Sequence, residues 1–227
     1  MVRGEAGLNL LAAGGTEVHC RPVTVPPRLA PLLAEYDFTS NRLLQRLTGP
    51  TMDSGDDVQV EVPPLTDAEL LWEPVPGAWT IRRQVDGPGG LGATRLVGSG
   101  EWGHDGGRPH PYPPPVTSIG WRINHVAKTL AGRADHTDGT HTHTEAGDEP
   151  QGTAAGAVAG LAAAIAAWRA TLVGADDAAL DTIGYSTYPN GSDAEETFLD
   201  VVWWMNQEVI HHGAEIALLR DLYLRLA

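Results

Sequence analysis

Apolar residues along this chain fall into four stretches with helical spacing, separated by polar or Gly/Pro-rich segments. Leu29, Leu32, Leu33, Tyr36, Leu43, Leu44 and Leu47 recur mostly three or four positions apart, and Gly49-Pro50 follows as a stop, so a first helix is expected over residues 28–47. Residues 1–27, ending in Val25-Pro26-Pro27, keep no period and read as an irregular leader. Residues 50–115 form a long Pro- and Gly-rich connection. It holds one short amphipathic piece, Thr66 to Leu71, and the string LLWEPVPGAWTIRR. A connection of that length inside a compact domain usually serves a function.

After Pro113-Pro114-Pro115, Thr117 or Ser118 can cap a second helix running to about Gly132, with Ile119, Ile123, Val126 and Leu130 as its stripe. Residues 133–152 are polar and Gly-rich. With His136, His141 and His143 and no apolar period, they read as a mobile solvated loop, although His-rich tracts can bind metals. Residues 153–173 are dominated by alanine, with Leu161, Ile165, Trp168 and Leu172 on one face, and predict a third helix whose internal Gly and Arg169 make it a poor membrane span. Ser192-x-x-Glu195 reads as a capping box that opens a fourth helix lasting to the C-terminus. The expected organisation is therefore the leader, 1–27, and one all-α domain over 28–227: a four-helix bundle with long irregular connections.

The seam of the fourth helix carries the chemistry. It reads Phe198, Val201, Met205, Glu208, His212, Glu215, Leu219, Leu222, Leu226, so three ionisable groups stand where the pattern calls for apolar ones. A buried carboxylate costs several kcal/mol unless it is paired or bound to a cation. Glu208 and His212, one turn apart, project from the same face about 5 to 6 Å apart at Cβ, which suits two ligands of one ion. The same spacing also suits a plain pair between the two, or with an Arg from another helix. His211 points about 100° away from His212, so the two cannot readily face one ion.

Composition narrows the alternatives. A formal net charge of −14 disfavours nucleic-acid phosphates and anionic lipid as partners. The single cysteine, Cys20, excludes an internal disulfide and a Cys-based zinc cluster. Glu5 and several glycines interrupt any signal-peptide core, so a cytoplasmic protein is the expectation. GxSxG and GxxxxGK[ST] are both missing.

The strings NQEVIHHGAEIALLRDLY, WRINHVAKTL and LTDAELLWEPVPGAW resemble the DinB superfamily over most of residues 28–227, and within it the branch of mycothiol-dependent maleylpyruvate isomerases and related thiol transferases. The resemblance implies an up-down-down-up four-helix bundle that holds Zn²⁺ or Ni²⁺ through His125 on the second helix and Glu208 and His212 on the fourth. Other branches carry His at the first of the two helix-four positions. Glu208 there matches the mycothiol-dependent branch. On its residues alone, His125 also reads as an edge histidine bonded to backbone. The resemblance makes it a ligand. His211 and Glu215 then fall just behind the ligands, where Glu215 could accept a ligand histidine's ring N–H or pair with Arg42 or Arg46 of the first helix. Trp79 and Trp121 are expected to line the pocket.

Three ligands leave a coordination position open, which separates a catalytic from a closed structural site. A divalent ion there can hold a thiol as thiolate, or lower the pKa of water. Cys20 lies in the leader, so the sulfur must come from a cosubstrate, and the resemblance supplies mycothiol. The leading expectation is a thiol S-transferase acting on an electrophilic small molecule, with the small molecule and the thiol as partners and a homodimer left open. The alternatives are a metal-dependent hydrolase and a non-catalytic metal-binding stress protein.

Overall fold

The computed structural model describes residues 25–53 and 59–226, so residues 1–24 of the leader, including Cys20, lie outside the described residues. Four long helices share one hydrophobic core: α1 (Ala30–Thr48), α3 (Ile119–Asp138), α4 (Ala154–Gly174) and α6 (Phe198–Leu226). They meet in a closed ring, α1 touching α4 and α6, and α3 touching the same two. Leu33, Tyr36, Leu43 and Leu47 from α1, Ile123 and Leu130 from α3, Leu161, Trp168 and Leu172 from α4, and Phe198, Met205 and Ile216 from α6 fill that core. Gly49 ends α1 with φ +54, and a Cβ there would stand 2.5 Å from the Val62 carbonyl oxygen, so the stop needs glycine.

α4 is apolar and long enough to cross a membrane by composition alone, at a mean hydropathy of 1.6. Its Leu161, Ile165, Trp168 and Leu172 nevertheless face the other helices, and Arg169 on its outer side pairs with Asp37 at 2.7 Å. That is the arrangement of a core helix.

Three features depart from the expected organisation. First, residues 81–106 of the connection contain a three-stranded antiparallel sheet, β3 (Ile81–Arg83), β4 (Arg95–Val97) and β5 (Trp102–Gly106), in the order β3-β5-β4. A shorter ladder joins β1 (Thr51–Asp53) to β2 (Gln59–Glu61). In register, Ile81 stands opposite His104, and Val97 opposite the same residue on the other side. Strands of three to five residues, with β5 reading WGHDG, carry no run of β-branched residues to announce them.

Second, α3 runs six residues past Gly132, to Asp138. Arg133 is buried against Asp193 at 3.0 Å, with its guanidinium centred 4.5 Å from the rings of both Tyr188 and Trp204. His136 turns inward and bonds the His143 carbonyl at 2.9 Å. Partners supplied from elsewhere let polar residues continue a helix where the apolar stripe stops. The following loop is tied rather than mobile. Asp135 accepts the backbone N–H groups of Thr140, Thr142 and His143, each at 2.8 Å, and His143 Nε2 sits 3.0 Å from Asp148. Although burial works against its charge, those bonds hold the Asp135 carboxyl well below the usual carboxylate range.

Third, the cap of α6 is Thr197, five residues later than Ser192. Thr197 Oγ1 accepts the Asp200 N–H at 3.3 Å. Ser192 has left the extended backbone that a cap needs, because Asp193 is drawn inward to Arg133 and Ser186, and a 3₁₀ turn forms at Asp193–Glu195. At the other end of the seam, Leu222 and Leu226 are exposed.

Two short helices complete the chain, α2 (Asp67–Leu70) and α5 (Asp177–Leu180). α2 falls on the expected amphipathic piece. Thr66 caps it, and it presents Glu69, 1% exposed, to Arg220 of α6, 2% exposed, with Arg220 Nε 2.6 Å from Glu69 Oε1.

Candidate metal centre

The sheet is docked on the start of α3, and this brings the connection to the site. Trp79 donates its backbone N–H to the Val116 carbonyl and accepts that of Ser118, each at 2.8 Å, the Thr80 and Ser118 hydroxyls meet at 2.6 Å, and the indole N–H of Trp121 donates to the Asp105 carbonyl at 2.9 Å. Ser118 also caps α3 by accepting the Trp121 N–H at 3.2 Å. One turn further along α3, the His125 ring stacks on Trp121 at 5.1 Å and 15° between planes. That stacking fixes the direction in which His125 presents its ring nitrogens.

Across from His125, α6 supplies Glu208 and His212. Glu208 Oε2 lies 3.3 Å from His125 Nε2 and 3.2 Å from His212 Nε2. The candidate ligand atoms of the three residues all lie within 4.8 Å of one another. In a tetrahedral site with bonds of about 2.0–2.1 Å, neighbouring ligand atoms stand about 3.3 Å apart, which matches the two spacings from Glu208.

Glu215, one turn beyond, settles which nitrogen of His212 faces Glu208. Its Oε2 lies 2.6 Å from His212 Nδ1, and an ionised carboxylate only accepts, so Nδ1 carries the proton. Arg122 approaches the same nitrogen at 3.4 Å, too far and in the wrong sense for a bond to an N–H. It is there for Glu215, which its Nε meets at 2.9 Å. His212 Nε2 is therefore left as a lone pair aimed at a carboxylate oxygen, an arrangement that a cation between them would satisfy. Glu215 Oε2 thus meets both the His212 ring and a guanidinium. The basic partner is Arg122 on α3 rather than Arg42 or Arg46 on α1, and Arg46 instead pairs with Asp221.

The charge states suit a cation too. Burial pushes His125 down, against the opposing bond to Glu208, which favours the neutral ring that coordinates metal. Burial works against the charge of Glu208, but in acid, where it titrates, His125 and His212 are protonated, and their bonds and charges hold it well below the usual carboxylate range, so it is an anion at neutral pH, where both rings can be neutral. His211 is exposed, its ring stacked on His212 at 4.9 Å and its Nε2 3.4 Å from Glu215. Among the described residues the three-ligand cluster of His125, Glu208 and His212 is the one that fits a metal ion. His136, His141 and His143 form no such cluster: the His136 and His141 rings meet edge-on at 5.7 Å, but His136 Nε2 is bonded to the His143 carbonyl, His141 Nδ1 meets the Thr187 hydroxyl at 3.1 Å, and His143 pairs with Asp148.

A cavity of about 490 Å³ opens on the side of His125, and Trp79, Trp121, His104 and Lys128 share its wall. Trp79 is buried, its ring 6.2 Å from that of Trp121. A larger groove of about 620 Å³ between α3 and α4 shares His104 and Lys128 with it, but none of the three candidate ligands. His104 was not visible from its sequence context, since β5 has no recognisable pattern.

Burial, reinforced by the charge of Lys128 beside it, lowers the His104 pKa from 6.5 to about 4. The unfolded chain then binds a proton between pH 6.5 and 4 that the folded chain refuses. Stability is thus expected to fall as pH drops through that window, by up to about 3 kcal/mol from this group. Urea unfolding at pH 7 and pH 4.5 reads it. A His104→Gln protein should lose less between the two pH values than the parent, and equal losses would discount His104.

With this geometry in view, a family model of the DinB superfamily matches residues 108–216. The span takes in His125, Glu208, His212 and Glu215, and leaves out the strands β3 to β5. The match supports placing this chain in that superfamily, whose members often bind metal. Comparison with curated proteins and with solved structures gave no match.

Proposed function

We propose that this protein is a metal-dependent thiol S-transferase in which a low-molecular-weight thiol of the mycothiol type attacks an electrophilic small molecule in the cytoplasm. The observation that carries this reading is the convergence of His125, Glu208 and His212 beside a walled cavity. The reading includes the finer fold assignment, an up-down-down-up bundle of the DinB type, and Zn²⁺ or Ni²⁺ as the ion. Bound there, the ion would supply the positive charge that turns a thiol into a thiolate at neutral pH.

The chain's own residues do the rest. Glu215 holds the His212 proton on Nδ1 and so keeps Nε2 available, with Arg122 fixing Glu215 in turn. Trp121 holds the His125 ring in place. Trp79 and Trp121 offer apolar wall to the thiol or its acceptor and restrict water. Glu208 balances one positive charge and leaves the loaded site net cationic. In this reading the nucleophilic sulfur arrives with the cosubstrate.

The test is to incubate metal-loaded protein with a panel of electrophiles, with and without mycothiol, and to resolve products by mass. Thiol adducts or a thiol-dependent isomer, absent from chelator-treated protein, are expected. Hydrolysis that proceeds without thiol would select a metal-dependent hydrolase instead.

A further inference from the structure

The chain carries a net charge of −14, yet the cavity beside His125 is lined by three permanent cations, Arg95, Arg108 and Lys128. Two carboxylates share the wall and differ in kind. Asp105 is completely buried and already committed: it accepts Arg82 Nε at 2.9 Å, and the Thr80 and Gly89 N–H groups at 3.0 Å each. Its charge is spent behind the wall. Glu145 belongs to the loop after α3. It receives Lys128 Nζ at 2.9 Å through Oε1, and Arg95 reaches its Oε2 at 3.6 Å. Arg108 makes no ion pair among the described residues.

We infer that this cavity binds the carboxylate of a small anionic molecule between Lys128 and Arg95, and that Glu145 holds that place in the free protein. The inference rests on the proposed reading only in making the anion the acceptor substrate of the adjacent metal centre. The anion site itself stands on the cavity.

Several observations carry it. The Lys128 side chain is only 13% exposed, and an ammonium so far removed from water needs an anion against it. The anion it has comes from a loop side chain, itself 31% exposed, rather than from a packed helix or strand. Arg95, half exposed, meets Glu145 at 3.6 Å with one nitrogen, whereas a guanidinium holds a carboxylate best through two parallel bonds. An incoming carboxylate can therefore make a better contact with Arg95 than Glu145 does. Glu145 would turn outward to solvent as it enters, and the charge around Lys128 would be conserved. Trp79, Trp121 and His110 leave an apolar surface for the rest of the ligand.

The experiment is calorimetric titration of succinate, with neutral succinamide as control, into the full chain, both metal-loaded and chelator-treated. Succinate should bind saturably in both preparations and succinamide in neither. Lys128→Met should weaken succinate about tenfold, as expected for one charge-assisted contact. Glu145→Gln, which removes the internal competitor, should tighten it about threefold or more. Arg95→Gln, at a half-exposed position that folding tolerates, should weaken it in the same direction if Lys128→Met fails to fold. Binding that ignores Lys128 and Arg95, that is unchanged or weaker in Glu145→Gln, or that disappears with chelator, overturns the inference. Succinate binding that follows Lys128 and Glu145 in a protein that never loads metal would keep this inference and sink the metal-dependent transferase.

Discussion

Arg220→Ala is expected to destabilise the fold by about 3–5 kcal/mol, lowering the melting temperature by roughly 10 °C. Arg220 of α6 lies inside the molecule with its guanidinium fully used: Nε and Nη2 bridge both oxygens of Glu69, Nη2 also donates to the Pro63 carbonyl at 2.9 Å, and Nη1 to the Arg46 carbonyl. It joins α6 to the end of α1, to the chain after β2 and to α2. Truncation leaves the Glu69 carboxylate, 1% exposed, without a counter-charge, and two carbonyls without donors. The double variant Glu69→Leu/Arg220→Leu removes both charges and should recover a good part of the loss, because most of it is the penalty on the stranded partner. Thermal melts of the three proteins check this. A single variant that melts within 2 °C of the parent would mean that Glu69 finds another partner.

Metal should stabilise the folded protein by a comparable amount. The three ligands come from α3 and α6 and meet only when those helices pack, so an ion that binds there binds the native state alone. At a free metal concentration about 100 times Kd, linkage gives about 2.7 kcal/mol, or about 5–10 °C in melting temperature. The shift should appear on adding Zn²⁺ or Ni²⁺ to chelator-treated protein and should be absent in His212→Ala. An equal shift in His212→Ala would place the ion elsewhere.

Much of this was legible from the pattern of apolar residues. α1, α4 and α6 announce themselves by helical spacing, and Glu208 and His212 stand out because they interrupt an apolar seam. His125 does not stand out in this way. It lies beside its stripe, and the resemblance to a family pointed to it. Spacing tells which face a residue occupies but not which helix lies opposite, and so the basic partner offered for Glu215 was on α1, whereas Glu215 meets His212 and Arg122 of α3. The continuation of α3 through Arg133 and His136 was hidden because its polar residues are satisfied by distant ones, Asp193 and the His143 carbonyl. Likewise Ser192 carried a capping signature that Thr197 fulfils, since the burial of Asp193 reshapes the backbone beside it. The sheet left no trace in the pattern, because glycine, histidine and aspartate build β5, and with it went His104.

The central claim is that His125, Glu208 and His212 together hold one divalent ion, and equilibrium dialysis against Zn²⁺ or Ni²⁺ followed by elemental analysis tests it most directly. The prediction is one ion per chain in the parent protein, most of it lost in each of His125→Ala, Glu208→Ala and His212→Ala, and full loading retained in His136→Ala and His141→Ala. Full loading in the first three variants, or loss of the ion in either loop variant, would contradict the account.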